Sequence, residues 1–484
     1  MSIRVVCLAA SIAVAGLVSN WVIAQEEKLA SPEKVTSTAE QSVPVQAATE
    51  PATAAATEPA PIKPAPISPT VTKGVSWLIA AQHPDGGWGG GSHAQLDIRD
   101  PQKVKTDPAT TAFTLLSLLR AGHTPAGGEY TAQVRKGLEY LVAIVEKAPL
   151  DGPQITDLTG TQPQSKLGAN VDTPLTAQYL SRAIGILAKD DPLFKRTDAA
   201  LDKCLAKLQS SQQKDGGWGQ GGGWAPVLQS SLSCSALEIA QANGKNVDTV
   251  KLAAARDYQK QQVAVSARPA AMAEPGPGVA GPGPGAVAVA GGARAAAAKT
   301  DASAGVELYA FNGAFRGNAV DALEAEQTVT KAVEAGTLPA DAKVTVENLE
   351  RSGQARGRAR MLYQAAEQNS AQIARLDDEK LLAGFGNNGG EEYLSYLLTS
   401  ESLVIAGGDK FHQWNDKMHG RLQKIQNGDG SWTGLHCITS PVFCTAAVVQ
   451  CLTTDRDAKF LIAMAEKTKI GGGKEGKEES VATK

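Results

Sequence analysis

Trp77-Leu78-Ile79-Ala80-Ala81-Gln82-His83-Pro84-Asp85-Gly86-Gly87-Trp88-Gly89 reads as the end of an amphipathic helix, a Gln-bearing turn and a returning Trp. It is echoed at Leu208-Gln209-Ser210-Ser211-Gln212-Gln213-Lys214-Asp215-Gly216-Gly217-Trp218-Gly219. It returns as Leu422-Gln423-Lys424-Ile425-Gln426-Asn427-Gly428-Asp429-Gly430-Ser431-Trp432. A degenerate copy begins at Gly137-Leu138-Glu139-Tyr140 and ends at Asp151-Gly152, and aligning Gly74, Gly137 and Asp202 gives steps of 63 and 65 residues. Such a period suits a pair of helices with their connections. In each copy the Asp-Gly pair breaks the helix, because Gly tolerates the left-handed conformation. The Trp that follows offers a large apolar face to pack back on that helix, and its indole N–H needs an acceptor. Asp85, Trp88, Asp215, Trp218, Asp429 and Trp432 are therefore structural turn residues.

A second helix follows each turn. Asp107-Pro108 before Ala109–Gly122 is N-cap then Pro at N1, and Thr173-Pro174 is expected to repeat the device. No period-2 strand pattern of any length competes. The expectation is an all-α fold of helical hairpins.

These Gln-x-x-x-Asp-Gly-Gly-Trp turns resemble the QW-type repeats of the squalene/terpenoid cyclase and protein prenyltransferase β-subunit superfamily. The resemblance covers roughly residues 70–262 and, more diffusely, 302–466, and implies an α/α toroid (an α6/α6 barrel) whose inner helices surround a cavity. The later segment, with Asn387-Asn388-Gly389-Gly390-Glu391-Glu392 and then Leu435-His436-Cys437, looks like a secreted bacterial branch with no settled activity.

Composition sets the remaining boundaries. Of 484 residues, roughly 360 are rich enough in apolar side chains to build a core. Residues 1–24 read as a signal peptide: Arg4, an apolar run from Val5 to Val18, and Val22-Ile23-Ala24 before Gln25. An uncleaved anchor is the alternative. Residues 25–70 form an Ala/Pro/Thr-rich linker, 263–301 a Gly/Ala/Pro insertion between the toroid halves 71–262 and 302–468, and 469–484 a charged tail. The expected location is secreted or periplasmic, with no transmembrane span in the mature chain. A formal charge of −3, without a basic run, excludes a strongly basic nucleic-acid binder.

Chemistry is sought where the resemblance would place it. Cyclases of this kind protonate with the central acid of Asp-x-Asp-Asp-Thr-Ala. Here Asp107 holds the first position, but Ala109 and Thr110 replace the later acids, and Asp172 likewise opens a motif lacking them. Both are read as helix caps. Aromatics amount to only 5%, too few to line a carbocation relay. The prenyltransferase zinc triad also fails, since its Asp-x-Cys falls at Leu232-Ser233-Cys234 and its His at Cys444. No cofactor is expected; zinc is a minor alternative, with Cys234, Cys444 and His436, or Cys437, as weak ligands. Cys204, Cys234, Cys437, Cys444 and Cys451 survive signal removal, and an odd number cannot all pair; free thiols are expected, with Cys234–Cys444 or Cys204–Cys234 as alternative bridges.

Two function classes follow. One is a protein that binds a cell-envelope ligand or partner in the ring, on a lumen lined by Thr110, Thr114, Ser117, by Ser231, Ser235, Glu238, and by Glu392, Ser395, Thr399, Ser402, each set on one helical face. The other is a divergent enzyme on an isoprenoid-like or glycan substrate, using Glu391, Glu392, His436 and Cys444. Helix capping is the competing reading of Glu391 and Glu392.

Overall fold

The computed structural model describes residues 62–219, 222–266, 306–386, 388–407 and 409–468. The expected signal peptide, nearly all of the linker, the 263–301 insertion apart from the end of one helix, and the tail lie outside the described residues. Within them every element is a helix, with only isolated β-bridges besides.

Six helices form an inner ring: α2 (Pro108–Arg120), α5 (Asp172–Ile184), α7 (Pro226–Ala242), α9 (Glu307–Glu334), α13 (Gly390–Ala406) and α15 (Pro441–Leu452). Each packs on the next, and α15 packs back on α2, so the ring closes. Around them lie α1 (Pro69–Ala80), α3 (Thr131–Lys147), α6 (Pro192–Ser211), α8 (Thr249–Ser266), α11 (Arg356–Ala374) and α14 (Lys410–Gln423). The chain is an all-α toroid of six inner and six outer helices. Four further helices, α4 (Gln162–Leu167), α10 (Val346–Arg351), α12 (Glu379–Leu382) and α16 (Ala458–Lys467), lie in the connections and at the end of the chain.

The composition of the two rings explains their places. The outer helices bury one stripe, as in α3 with Val134, Leu138, Leu141, Val142 and Val145, the pattern of an amphipathic surface helix. Every residue of α2 and of α15 is buried, because their far sides meet other inner helices. Phe113 of α2 stacks on Phe443 of α15 at 4.6 Å between ring centroids.

The three Trp turns have one geometry. The indole N–H of Trp88 donates to Leu78 O at 2.7 Å, that of Trp218 to Leu208 O at 2.9 Å, and that of Trp432 to Leu422 O at 2.8 Å. Asp85, Asp215 and Asp429 each accept from the backbone N–H two residues on. Gly86, Gly216 and Gly430 hold φ values of 93°, 93° and 95°, where a side chain would be strained. The preceding Gln does more than expected. Gln82 donates to Gly86 O and to Gln133 O at the start of α3, Gln212 to Gly216 O and Lys251 O of α8, and Gln426 to Gly430 O and Thr70 O of α1. The last of these joins the end of the chain to its beginning.

All inner helices start at one rim and end at the other. At the second rim a buried chain of charges crosses from helix to helix. Arg182 meets Asp457, Asp457 meets Arg120, Arg120 meets Glu401, Glu401 meets Arg316, Arg316 meets Glu238, and Glu238 meets Arg256. Arg256 donates on to Thr468 O. Helix α16 packs against α7, α9 and α13 at this end. Buried charges need complete pairing, and each acid here has two arginines. Burial opposes ionisation of Asp457, but Arg182 and Arg120 outweigh it and hold the carboxyl below its usual range.

Three expectations need correction. Helix α1 opens at Pro69, inside the stretch read as linker, because Ser68 accepts from Val71 N–H and Pro69 takes N1. Helix α8 continues to Ser266, past the expected boundary at 262. Thr173-Pro174 does not repeat the Asp-Pro cap: α5 starts at Asp172, whose side chain instead accepts from Ala109 N–H of the neighbouring α2.

Two stability predictions follow from the staples and the charged floor. Trp432→Phe removes the indole bond to Leu422 O, which keeps the Ile425 N–H, and should lower the unfolding free energy by about 0.5–1.5 kcal/mol. Gly74→Ala, whose Cβ would lie 2.9 Å from the Trp432 ring, should do likewise by about 1–3 kcal/mol; denaturant titration reads both. Glu401→Gln leaves Arg120 and Arg316 short of charge and should destabilise by about 3–5 kcal/mol in the same assay.

Candidate functional site at the amino-terminal rim

Asp107 caps α2 by accepting from Thr110 N–H at 2.7 Å, and its other oxygen accepts from Gly90 N–H. Asp172 accepts from Ala109 N–H and from the Gln164 amide. All four carboxyl oxygens are therefore engaged in holding the two helix starts. Burial, and then the neighbouring Asp172, push Asp107 up to about 7; burial pushes Asp172 up to about 6. The capping reading holds for Asp107, whereas Asp172 lies inside α5 and binds the start of the neighbouring α2 instead of capping its own helix.

Across the rim, the loop before α15 comes to the start of α13. Gln162 of α4 fastens it, accepting from Thr439 N–H and Ser440 N–H. Gly390 N–H donates to Ile438 O, and Ile438 N–H donates to Glu391 Oε2 at 3.2 Å. Glu392 accepts from the Tyr309 hydroxyl at 2.6 Å, from Phe385 N–H and from Gly389 N–H. Its last bond is half of a capping box, so Glu392 does cap α13. It also lies 3.5 Å from His436 Nε2. The sequence alone could not bring Glu392 and His436 together; the fold does.

Glu391, His436 and Cys437 present their ligand atoms within 4.8 Å of one another. Glu391 is wholly buried and its Oε1 has no hydrogen-bond donor among the described residues. Burial, then Glu392, raise this carboxyl to about 7. Burial and Glu391 push the Cys437 thiol up to about 12. Cys437 is also one of two non-glycine residues with positive φ among those described, at 56°; the other, Asn388, faces it across the site at 54°, accepting from Leu435 N–H. Cys444 borders the same cluster. Its thiol donates to Ile438 O at 3.5 Å and burial raises its pKa well above the ordinary value, so it is a protonated core thiol.

Outside the acids lies an apolar lip. Phe385 meets the His436 ring edge-on at 5.5 Å, Trp224 meets Phe385 at 5.8 Å, and Lys166 sits over Trp224. Trp224 is 41% exposed, Phe385 47% and Leu435 73%. Large apolar side chains gathered in the open mark a binding surface more than a core. None of Trp224, Phe385, Lys166 or Tyr309 was singled out by sequence reasoning as part of this rim; Trp224 stands outside any Asp-Gly-Gly-Trp turn, and that was the available signal.

The expected hydroxyl-lined lumen is closed. Thr110, Thr114, Ser117, Ser395, Thr399 and Ser402 are all buried without contact with solvent. Thr399 donates to Asn312, while Ser117 and Ser402 bond carbonyls of their own helices. Their small side chains let helices approach closely. Glu238 is tied between two arginines; beside it and Cys234 is a hollow of about 10 Å³, room for about one water. The metal set Cys234, Cys444 and His436 is not formed among the described residues: Cys234 faces Glu238 and the arginines instead. All five cysteines are free and buried, so neither alternative bridge forms.

Residues 58–159, which carry the first Trp turn and α2, match the squalene-hopene cyclase C-terminal domain. A squalene–hopene cyclase of Bradyrhizobium diazoefficiens is 32% identical over 93 residues, 19% of this chain and 13% of that protein. No solved structure gives a significant match. Over the matched segment the chain is similar to squalene–hopene cyclases, and its closed double ring with stapled turns is consistent with the all-α toroid of that family. Its match nevertheless spans only about one eighth of that curated relative's length.

The raised rim acids predict a pH dependence. A carboxyl whose folded pKa is raised binds more protons folded than unfolded between its ordinary value and the raised one, so stability falls as pH rises through that window. For Asp107, Asp172 and Glu391 the window runs from about 4 to about 7. Denaturation midpoints should therefore decline from pH 4 to 7, and Asp107→Asn should flatten the decline even where it lowers the midpoints themselves.

Proposed function

We propose that this chain is an exported, cyclase-like toroid that binds a cell-envelope ligand at its amino-terminal rim and carries out no polycyclisation. The observation that carries the reading is the contrast between a ring filled along its axis and a rim left open. The inner faces are buried, Ala109 stands where a cyclase needs its acid, and Asp107 is fully engaged as a cap. At the rim, by contrast, Trp224, Phe385 and Leu435 are exposed around a histidine and two buried acids. Aromatic faces beside hydrogen-bonding groups suit a glycan, which offers C–H faces and hydroxyls together. A bare hydrocarbon would leave Glu391 Oε1 without a donor. Export rests on the reading of residues 1–24; no helix among the described residues is long and apolar enough to cross a membrane.

The convergence of Glu391, Glu392 and His436 supports a second reading, a divergent glycan-active enzyme in which Glu392 orients His436 as a general base. Soluble envelope glycan fragments, incubated with the mature chain and followed by native mass spectrometry and product analysis, separate the two. Binding without turnover, weakened at least fivefold in Trp224→Ala and Phe385→Ala, is the expected result (roughly 1 kcal/mol per lost aromatic contact). Turnover abolished by His436→Ala would establish the enzyme, and no association in any fraction would sink the glycan reading.

A further inference from the structure

The rim cluster has the composition of a metal centre at a place the resemblance does not assign. The resemblance points to Leu232, Cys234 and Cys444; the fold converges on three other residues, from the start of α13 and the loop before α15. We propose that Glu391, His436 and Cys437 form a site for one divalent cation of the zinc type.

The donor set decides the class of metal. A carboxylate, an imidazole and a thiol together favour a borderline-soft ion such as zinc over calcium or magnesium, which take oxygen ligands. The ligand atoms already lie within 4.8 Å of one another, so the ion would draw them in without moving a helix. An independent observation points to a missing partner: Glu391 Oε1 is buried and has no donor, although its other oxygen is satisfied by Ile438 N–H. A buried carboxyl oxygen without a well-formed bond is costly, and a cation would supply more than the weak contact of the Cys437 thiol with this carboxyl. Behind the imidazole stands Glu392, fixed by three donors of its own, the arrangement of a carboxylate that holds a ligating histidine from the rear. Three protein ligands leave one tetrahedral position over, and His436 is only partly buried, beside Phe385 on the open lip. Binding displaces the Cys437 proton to solvent as the thiolate takes the metal.

Cobalt(II) titration of the full chain, stripped with chelator and kept reduced, tests the site. The expected result is saturation at one equivalent with a thiolate-to-cobalt charge-transfer band in the near ultraviolet, reversed by zinc. Cys437→Ser should abolish the band, Glu392→Gln should weaken binding by about ten- to a hundredfold, and Cys234→Ser should change neither. Should Cys437→Ser fail to fold, zinc should still protect Cys437 of the wild-type chain from iodoacetamide, read by peptide mass. No saturable binding, a band that survives Cys437→Ser, a band lost in Cys234→Ser, or unprotected Cys437 would each overturn the site. Glycan binding is read separately on the stripped chain, so failure of one proposal is distinct from failure of the other.

Discussion

The closed ring depends on one repeated fastening: a Gln amide that bridges two carbonyls while a Trp indole bonds back to the helix just ended. Gln82 joins α1 to α3 and Gln212 joins α6 to α8. Gln426 joins the turn after α14 to α1, some 350 residues earlier in the chain. Trp77 adds a bond to Asp429 at the same junction. A linear array of helical hairpins leaves an apolar end at each terminus. Here the two ends cover each other, and an ordinary repeat staple makes the closure. The tight approaches depend on it too: Gly137 lies under the Trp88 ring and Gly74 under Trp432, each where a Cβ would sit about 3 Å from the indole.

Parallel inner helices give the two rims opposite electrostatic characters. Helix N-termini carry unpaired N–H groups and positive partial charge; C-termini carry the reverse. The carboxyl-terminal rim meets its requirement with four arginines interleaved with three acids, sealed beneath α16. The amino-terminal rim collects carboxylates: Asp107, Asp172, Glu391 and Glu392. Asp107, Asp172 and Glu392 accept from backbone N–H groups, and the Gln164 amide and the Tyr309 hydroxyl complete the last two. Glu391 alone keeps an oxygen without a donor among the described residues, and it does so beside a histidine and a thiol. The same polarity that forms the rim therefore singles out the position where chemistry is available.

Much of the fold was legible in sequence because its signals are local. Asp-Gly-Gly-Trp at a steady spacing announces a helix end, a turn and a returning ring, and the structure puts each indole N–H on a carbonyl ten residues back. The Asp107-Pro108 cap was equally readable. Thr173-Pro174 was not, because Asp172 turns its carboxyl to a neighbouring helix and so obeys a tertiary demand. The lumen was misjudged for a related reason. Helical spacing shows that Thr110, Thr114 and Ser117 share a face, but not how near the opposite face comes. Glu238 looked available on its helix until Arg256 and Arg316 arrived from two others.

The site shows the same division between local and distant information. Glu391, Glu392 and His436 drew attention singly, as acids in a first turn and a histidine in the loop after the last Trp turn. Their convergence needs the closed ring, since the loop before α15 reaches α13 only when Gln162, from the other half of the chain, fastens Thr439 and Ser440. Cys437 enters the cluster through a left-handed backbone that a cysteine adopts only under constraint. The small-sided inner helices of this toroid lie close together, and their shared faces are buried. The carboxylates at its helix starts remain, because capping requires them. A rim of such groups, ringed by Trp224, Phe385 and Leu435, is what a filled toroid of this design leaves open to a ligand.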